Sequence, residues 1–261
     1  MHWCLVLSFG TALLRFQEKE VIAMKWDIIC FDLDNTLYNY EKTFQYAMEH
    51  CFQLVKEQFN YNVNSRSWFK VFKTFCDLYW QDYANNKLTK KQYRRLRYID
   101  TMEEFNIKSS EKEADFLQEN FFKEVAEFVV PFEGMSHLIR KLSETQSEIG
   151  VISNGSYLLQ YRKLEELHLL HFFQEKNLFI SEQVKLAKPN SGIFEYAQAK
   201  LGSEYARCVY IGDSWELDIM SSIKAGWDAI YFNTTNKKPG AYPENVYICT
   251  TVNELDSYLF T

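Results

Sequence analysis

The feature that most constrains this chain is an interrupted alternation. From Lys25 onward, short apolar β-rich runs alternate with helical patterns, but the first two runs lie more than a hundred residues apart. Trp26 to Phe31 (WDIICF) is nearly continuously apolar, as a strand covered on both faces must be. Similar runs follow at Ile149 to Ser153, Leu178 to Ser181, Cys208 to Ile211, Ala229 to Phe232 and Val246 to Cys249. Between the later runs lie helical patterns at Met135 to Thr145, Leu158 to His168, Ser191 to Leu201 and Asp218 to Ala225. This order predicts an α/β fold with a doubly wound parallel sheet.

A normal crossover between parallel strands is far shorter than the first interval. Leu37 to Val130 reads as helices throughout. Phe44, Ala47, Met48, Cys51, Val55 and Phe59 share one helical stripe, and Trp68, Phe69, Phe72, Phe75, Cys76 and Tyr79 share another. Thr89 to Gln92 and Ser110 to Glu113 have the form of capping boxes, each opening a helix. The expected organisation is a core domain of residues 24–36 and 131–261 with an all-helical cap, 37–130, inserted after the first strand. The insert holds 21 of the 44 aromatic residues, enough for a small core of its own. Residues 1–23 are a leader of unsettled status kept out of the fold, the alternatives being a weak anchor, an extra docking helix, or a start at Met24. Its apolar stretch, Trp3 to Leu14, is too short for a transmembrane helix and lacks the basic start and cleavage site of a secretory signal.

Composition excludes several classes. Apolar residues at 47% and charged residues at 25% are those of a globular chain, not a disordered or fibrous one. The net charge of −6 lacks the basic excess of a general nucleic-acid binder. Six scattered cysteines without a C-x-x-C pair read as reduced core residues rather than disulfides or a zinc site. The expected compartment is therefore the cytoplasm, with neither a nucleic acid polymer nor a membrane as partner.

In an open α/β sheet, ligands bind at the carboxyl ends of the strands. The first strand ends in Asp32-Leu33-Asp34-Asn35-Thr36. Two carboxylates two residues apart there would repel unless a divalent cation joined them. The second ends in Ile152-Ser153-Asn154-Gly155, whose hydroxyl, amide and backbone N–H groups suit a phosphate oxygen. Lys188-Pro189 follows the third and offers a point charge to a phosphoryl group. The fourth ends in Ile211-Gly212-Asp213-Ser214, with Asp218 five residues beyond Asp213. Gly212 lets the chain turn sharply, and Asp213 completes a hard oxygen site suited to Mg²⁺. Each signal alone has an ordinary explanation as a cap, turn or surface charge. Their succession at four strand ends does not.

D-L-D-N-T, I-S-N-G, K-P and G-D-S-W-E-L-D resemble, in that order, the four motifs of the haloacid dehalogenase-like (HAD) hydrolases. The resemblance runs from about Lys25 to Thr261. Within the family, Met24 to Asp27, Trp80 to Tyr83 with Asn86 to Thr89, and Ile180 to Val184 resemble the noncanonical pyrimidine 5′-nucleotidases. The resemblance implies a Rossmann-like core and Mg²⁺-dependent hydrolysis of nucleoside 5′-monophosphates. Asp32 would be the nucleophile, forming an aspartyl-phosphate, and Asp34 the acid and then the base. Asp32, the Asp34 backbone carbonyl and Asp213 would hold the metal. Ser153 and Lys188 would bind the transferring phosphoryl oxygens, with Asn35 and Asn154 beside them. Asp218 would orient Lys188 or metal-bound water.

Asp34 favours ester hydrolysis over dehalogenation, because the dehalogenases of this family lack an acid there. A phosphatase for a sugar phosphate or phosphoglycolate, a phosphomutase and a non-catalytic binding module are the alternatives. The partner expected is a small phosphomonoester, and the chain a monomer or homodimer. Lys87, Lys90, Lys91, Arg94, Arg95 and Arg97 read as a solvated basic face. Tyr79, Trp80 and Tyr83 read as packing residues, with Trp80 or Tyr83 the ones placed to reach a base. His168 and His171 close a helix and carry no catalytic role.

Overall fold

A computed structural model describes residues 24–236, 243 and 246–261; the expected leader, residues 1–23, lies outside the described residues. Six parallel strands form one sheet in the order β3-β2-β1-β4-β5-β6. They are β1 (Ile28–Phe31), β2 (Glu148–Ser153), β3 (Leu178–Ile180), β4 (Cys208–Gly212), β5 (Asp228–Phe232) and β6 (Val246–Cys249). Four helices follow β1 before the chain returns: α1 (Tyr40–Phe59), α2 (Ser65–Ala84), α3 (Lys90–Glu104) and α4 (Glu111–Glu124). The later helices are α5 (Met135–Ser143), α6 (Tyr157–Glu166), α7 (Ser181–Val184), α8 (Gly192–Leu201), α9 (Met220–Lys224) and α10 (Val252–Leu259). This is the doubly wound α/β architecture with a helical insert that the alternation predicts.

Period-two side-chain alternation explains why apolar runs such as IICF are buried on both faces. Ile29, Phe31, Val151, Val209 and Ile211 pack against Leu138, Ile139 and Leu142 of α5, Leu164 of α6 and Leu255 of α10. Ile28, Cys30, Ile152, Cys208 and Tyr210 point the other way, onto Ile193, Phe194 and Ala197 of α8 and onto Trp227. Two expected boundaries shift. Trp26 precedes β1, its ring buried and its Nε1 donating to Asp228 Oδ2 at 2.7 Å. The helix expected from Asp218 starts earlier, as a wide turn over Trp215–Ile219 in which Ser214 Oγ accepts from the Leu217 amide.

The helices α1 to α4 bury a separate apolar cluster that includes Phe52, Trp68, Phe72, Tyr98 and Phe121. Phe52 and Trp68 stack with centroids 4.0 Å apart, and Trp68 and Phe72 at 4.5 Å. The aromatic excess of this stretch is therefore packing material. Thr89 and Gln92 form the expected capping box on α3, and Glu113 accepts from the Ser110 amide at 3.1 Å at the start of α4. The outgoing and returning chains run side by side, with the Asn39 amide donating to the Val130 carbonyl at 2.8 Å. Cys30, Cys51, Cys76, Cys208 and Cys249 are buried and unpaired. Among the described residues no helix is long and apolar enough to cross a membrane.

Candidate active site

β1 lies between β2 and β4, where the sheet winds in opposite directions, so its carboxyl end opens into the switch-point crevice. Asp32 sits there, 6% exposed. Lys188 Nζ, reaching across from the loop after β3 and α7, donates to Asp32 Oδ1 at 2.6 Å, Asp218 Oδ1 at 2.6 Å and Tyr210 Oη at 2.8 Å. Tyr210 in turn donates to the Ile152 carbonyl at 2.6 Å, tying the group to β2.

One ammonium serving two buried carboxylates leaves excess negative charge. Burial, reinforced by Asp218 and Asp34 and opposed by Lys188, pushes the Asp32 carboxyl up to about 7. Asp218 and Asp32 together push the Lys188 ammonium above its ordinary value, against the opposing effect of burial. Asp32, Asp213 and Asp218 offer carboxylate oxygens that all lie within 4.8 Å of one another. Hard oxygen donors with surplus negative charge fit a divalent cation such as Mg²⁺. Asp218 is already engaged on both oxygens, since Oδ2 accepts from the Ser214 amide at 2.9 Å.

Gly212 is needed for a reason other than turning. A Cβ there would meet Asp218 side-chain atoms at 2.5 Å, so the bare backbone is what lets Asp218 approach.

Asp34 faces the other wall of the crevice. Its Oδ1 accepts from Lys163 Nζ at 2.6 Å and from the Tyr38 hydroxyl, and Gln160 Nε2 lies 3.4 Å from Oδ2. Burial would raise its carboxyl, but Lys163 and these hydrogen bonds prevail and hold it below its ordinary value. Gln160 Nε2 also donates to Ser153 Oγ at 2.9 Å, linking the ends of β1 and β2. Asn35 adopts a left-handed backbone (φ 60°), and its Oδ1 accepts from the Tyr40 amide at 3.0 Å.

Asn154 is expected to face the phosphoryl group, yet both ends of its side-chain amide bind the Lys188 backbone. Sequence reasoning missed Lys163, Gln160, Tyr38 and Tyr210. The one local signal was the i, i+3 spacing of Gln160 and Lys163, which puts both on one face of α6.

A cavity of about 760 Å³ opens between the helical insert and this crevice. Asp34, Asn35, Asn154 and Lys163 line its sheet end, and Trp80, Tyr83, Tyr93 and Arg94 line its helical end. Tyr79 turns away and donates to Asp100 instead. The expectation of a uniformly solvated basic face is corrected here. Arg97 is buried, because its guanidinium stacks at 4.9 Å on Phe72 and 4.8 Å on Tyr93.

These features gather carboxylates, an ammonium and a large cavity at the switch point of a doubly wound sheet. The chain belongs to the haloacid dehalogenase-like hydrolases, whose family model matches residues 26–226. It is 31% identical over 235 residues to the pyrimidine 5′-nucleotidase YjjG of Escherichia coli, covering 89% of this chain and 96% of that protein. It is 26% identical over 211 residues to the pyrimidine 5′-nucleotidase PynA of Streptococcus pneumoniae, covering 80% and 85%. The fold superposes on the magnesium-bound HAD-hydrolase YfnB of Bacillus subtilis with a TM-score of 0.72 at 22% identity, covering 90% of this chain and 98% of that one.

Proposed function

We propose that this phosphoric monoester hydrolase acts on nucleoside 5′-monophosphates, pyrimidine, deoxy or noncanonical, through an aspartyl-phosphate on Asp32. The observation that carries the reading is the shared ammonium of Lys188 between Asp32 and Asp218, with Asp213 beside them. Such a group offers a nucleophile, a cation for phosphoryl oxygens and a set of carboxylates for a metal in one crevice. The two nucleotidase relatives, matched over most of their length, favour the nucleotide class.

In this mechanism Lys188 and Ser153 hold the transferring phosphoryl group in line with Asp32 Oδ. Asp32 attacks phosphorus while the bond to the nucleoside oxygen breaks. Asp34 gives that oxygen a proton, then removes one from the water that frees phosphate from Asp32. Asp34 is ionised against Lys163 before substrate enters, and the negative charge of an arriving phosphate favours its protonated form. Asp32, Asp213 and the Asp34 carbonyl would hold Mg²⁺, which when bound supplies charge neutralisation at the phosphoryl oxygens. Asp218 and Asn154 position Lys188. The division into a core of residues 24–36 and 131–261 and a cap of 37–130 gives the cap the selection of the leaving group.

A second reading, a phosphatase for a small sugar phosphate, draws on a shorter match. The glyceraldehyde 3-phosphate phosphatase of Methanothermobacter thermautotrophicus is 36% identical over 104 residues, 40% of this chain and 45% of that protein. Phosphate release from nucleotides and sugar phosphates, with and without Mg²⁺, separates the two. Nucleotides should be hydrolysed faster and only with Mg²⁺, and Asp32→Asn should be inert. Equal rates on both classes would defeat the nucleotide assignment, and an active Asp32→Asn would defeat the mechanism.

A further inference from the structure

The helical end of the large cavity is cationic in a way that hydrolysis at Asp32 does not use. Lys90, Arg94 and Arg97 stand at i, i+4 and i+7 on α3, one helical face, and all three line the cavity. The other cations of its wall are matched to acids. Lys73 pairs with Asp77, and Lys163 with Asp34. Glu41 is the remaining acid of the wall. Among the described residues, Lys90, Arg94 and Arg97 make no ion pair.

The neighbouring face of α3, about 100° round the helix, provides the contrast. Arg95 is bound by Glu111 and by both oxygens of Asp115, and Lys91 lies 4.0 Å from Asp115. So Lys91 and Arg95 are neutralised by acids of α4, while Lys90 at the exposed rim of the cavity and Arg94 and Arg97 deeper in its wall are not. Arg94 rests on the Phe122 ring at 4.5 Å, an arrangement that keeps its guanidinium edges available. Arg97 is 7% exposed, donates to Gln118 Oε1 at 3.0 Å, and leaves its buried Nε without a hydrogen-bond partner. Burial and the neighbouring Arg97 lower the Arg94 guanidinium, and burial and Arg94 lower the Lys90 ammonium. Like charges gathered in a half-dry wall are unfavourable until an anion joins them.

We infer that Lys90, Arg94 and Arg97 receive a second anionic group, phosphate or carboxylate, carried on the alcohol half of the substrate. This deepens the nucleotide reading and rests on it. Planar guanidinium forks suit both anions, and a neutral base carbonyl would leave most of the positive charge uncompensated.

The test compares kcat/KM for release of the 5′-phosphate from uridine 5′-monophosphate, uridine 3′,5′-bisphosphate and orotidine 5′-monophosphate. The enzymes are the wild type, the Lys90→Gln/Arg94→Gln double variant and Arg94→Lys, at saturating Mg²⁺. The wild type should prefer at least one doubly anionic compound by about tenfold, a discrimination of the size one charge-assisted contact supplies. The compound preferred tells phosphate from carboxylate. The preference should vanish in the double variant and survive in part in Arg94→Lys. Taking the ratio within each variant cancels any general loss of activity.

A wild type that treats all three alike, or a double variant that keeps the preference, overturns the inference. A parallel fall on all three substrates also overturns it, since it would mean contact with the neutral nucleoside. Failure of all three while a sugar phosphate is hydrolysed would defeat the nucleotide reading instead. The same ratio for ribulose 1,5-bisphosphate against ribulose 5-phosphate then decides the second anion separately, with loss of preference in the double variant expected and its persistence overturning the claim.

Discussion

Asn154 grips the backbone of Lys188 on both sides of its Cα. Its Nδ2 donates to the Lys188 carbonyl and its Oδ1 accepts from the Lys188 amide, each at 2.9 Å. The amide thus joins the end of β2 to the loop that carries the lysine, and Lys188 Nζ meets Asp32 from that fixed base. Asn154→Ala removes both bonds. A displacement of the ammonium by about 1 Å should lower kcat roughly a hundredfold, with KM changing less. Steady-state kinetics beside a thermal melt checks this, because unfolding alone would reduce the active fraction without shifting kcat per folded molecule.

Gly212 and Asp218 make the second test. Gly212→Ala puts a methyl into the space of the Asp218 carboxylate, 2.5 Å from its atoms. Overpacking of this kind costs about 1 to 3 kcal/mol. Chemical denaturation should show that loss, and activity should fall further than stability because Asp218 can no longer hold Lys188. A fully active Gly212→Ala protein would mean that Asp218 is not needed where it stands.

Metal dependence should follow Asp213. In Asp213→Asn, one carboxylate of the three that converge becomes a neutral amide. The Mg²⁺ concentration giving half-maximal rate should rise at least about tenfold, the loss expected when a metal site is weakened. Chelator should abolish wild-type activity and added Mg²⁺ should restore it. Titration of the rate with Mg²⁺ in both proteins is the measurement.

Arg95 clamps α3 to α4 through Asp115, whose carboxyl is held below its ordinary value by the hydrogen bonds from Arg95, against the opposing effect of burial. A lowered carboxyl contributes stability that is present above its unfolded pKa and is lost as pH falls through the folded one. Asp115→Asn should therefore melt slightly lower than wild type at pH 7, since a partly exposed, solvent-screened pair is worth little. The difference should close below the unfolded value of about 3.9. Melting curves of both proteins across that range test it, and a gap that widens in acid would contradict the assignment.

Where the elements lie was legible because strands and helices write local periodicity into the chain. The runs at Trp26 to Phe31 and Cys208 to Ile211, and the capping box at Thr89 and Gln92, all depend on neighbours within a few positions. The strand ends of a parallel sheet then bring Asp32, Ser153 and Asp213 to one edge as a matter of topology, and the loop after β3 and α7 adds Lys188. Lys163 has no such signal. It meets Asp34 across 129 positions of sequence, and Gln160 approaches it across 126.

The chain's order of residues by itself determined the sheet, the place of the helical insert and the row of polar groups at the strand ends. Those follow from side-chain period and from which residues can end a strand. Tertiary structure alone decided the partners. It turned Asn154 onto the Lys188 backbone, made Gly212 a matter of clearance for Asp218, and buried Arg97 among Phe72 and Tyr93. Each depends on distances between segments remote in sequence, where burial and charge compensation, not local preference, select the arrangement.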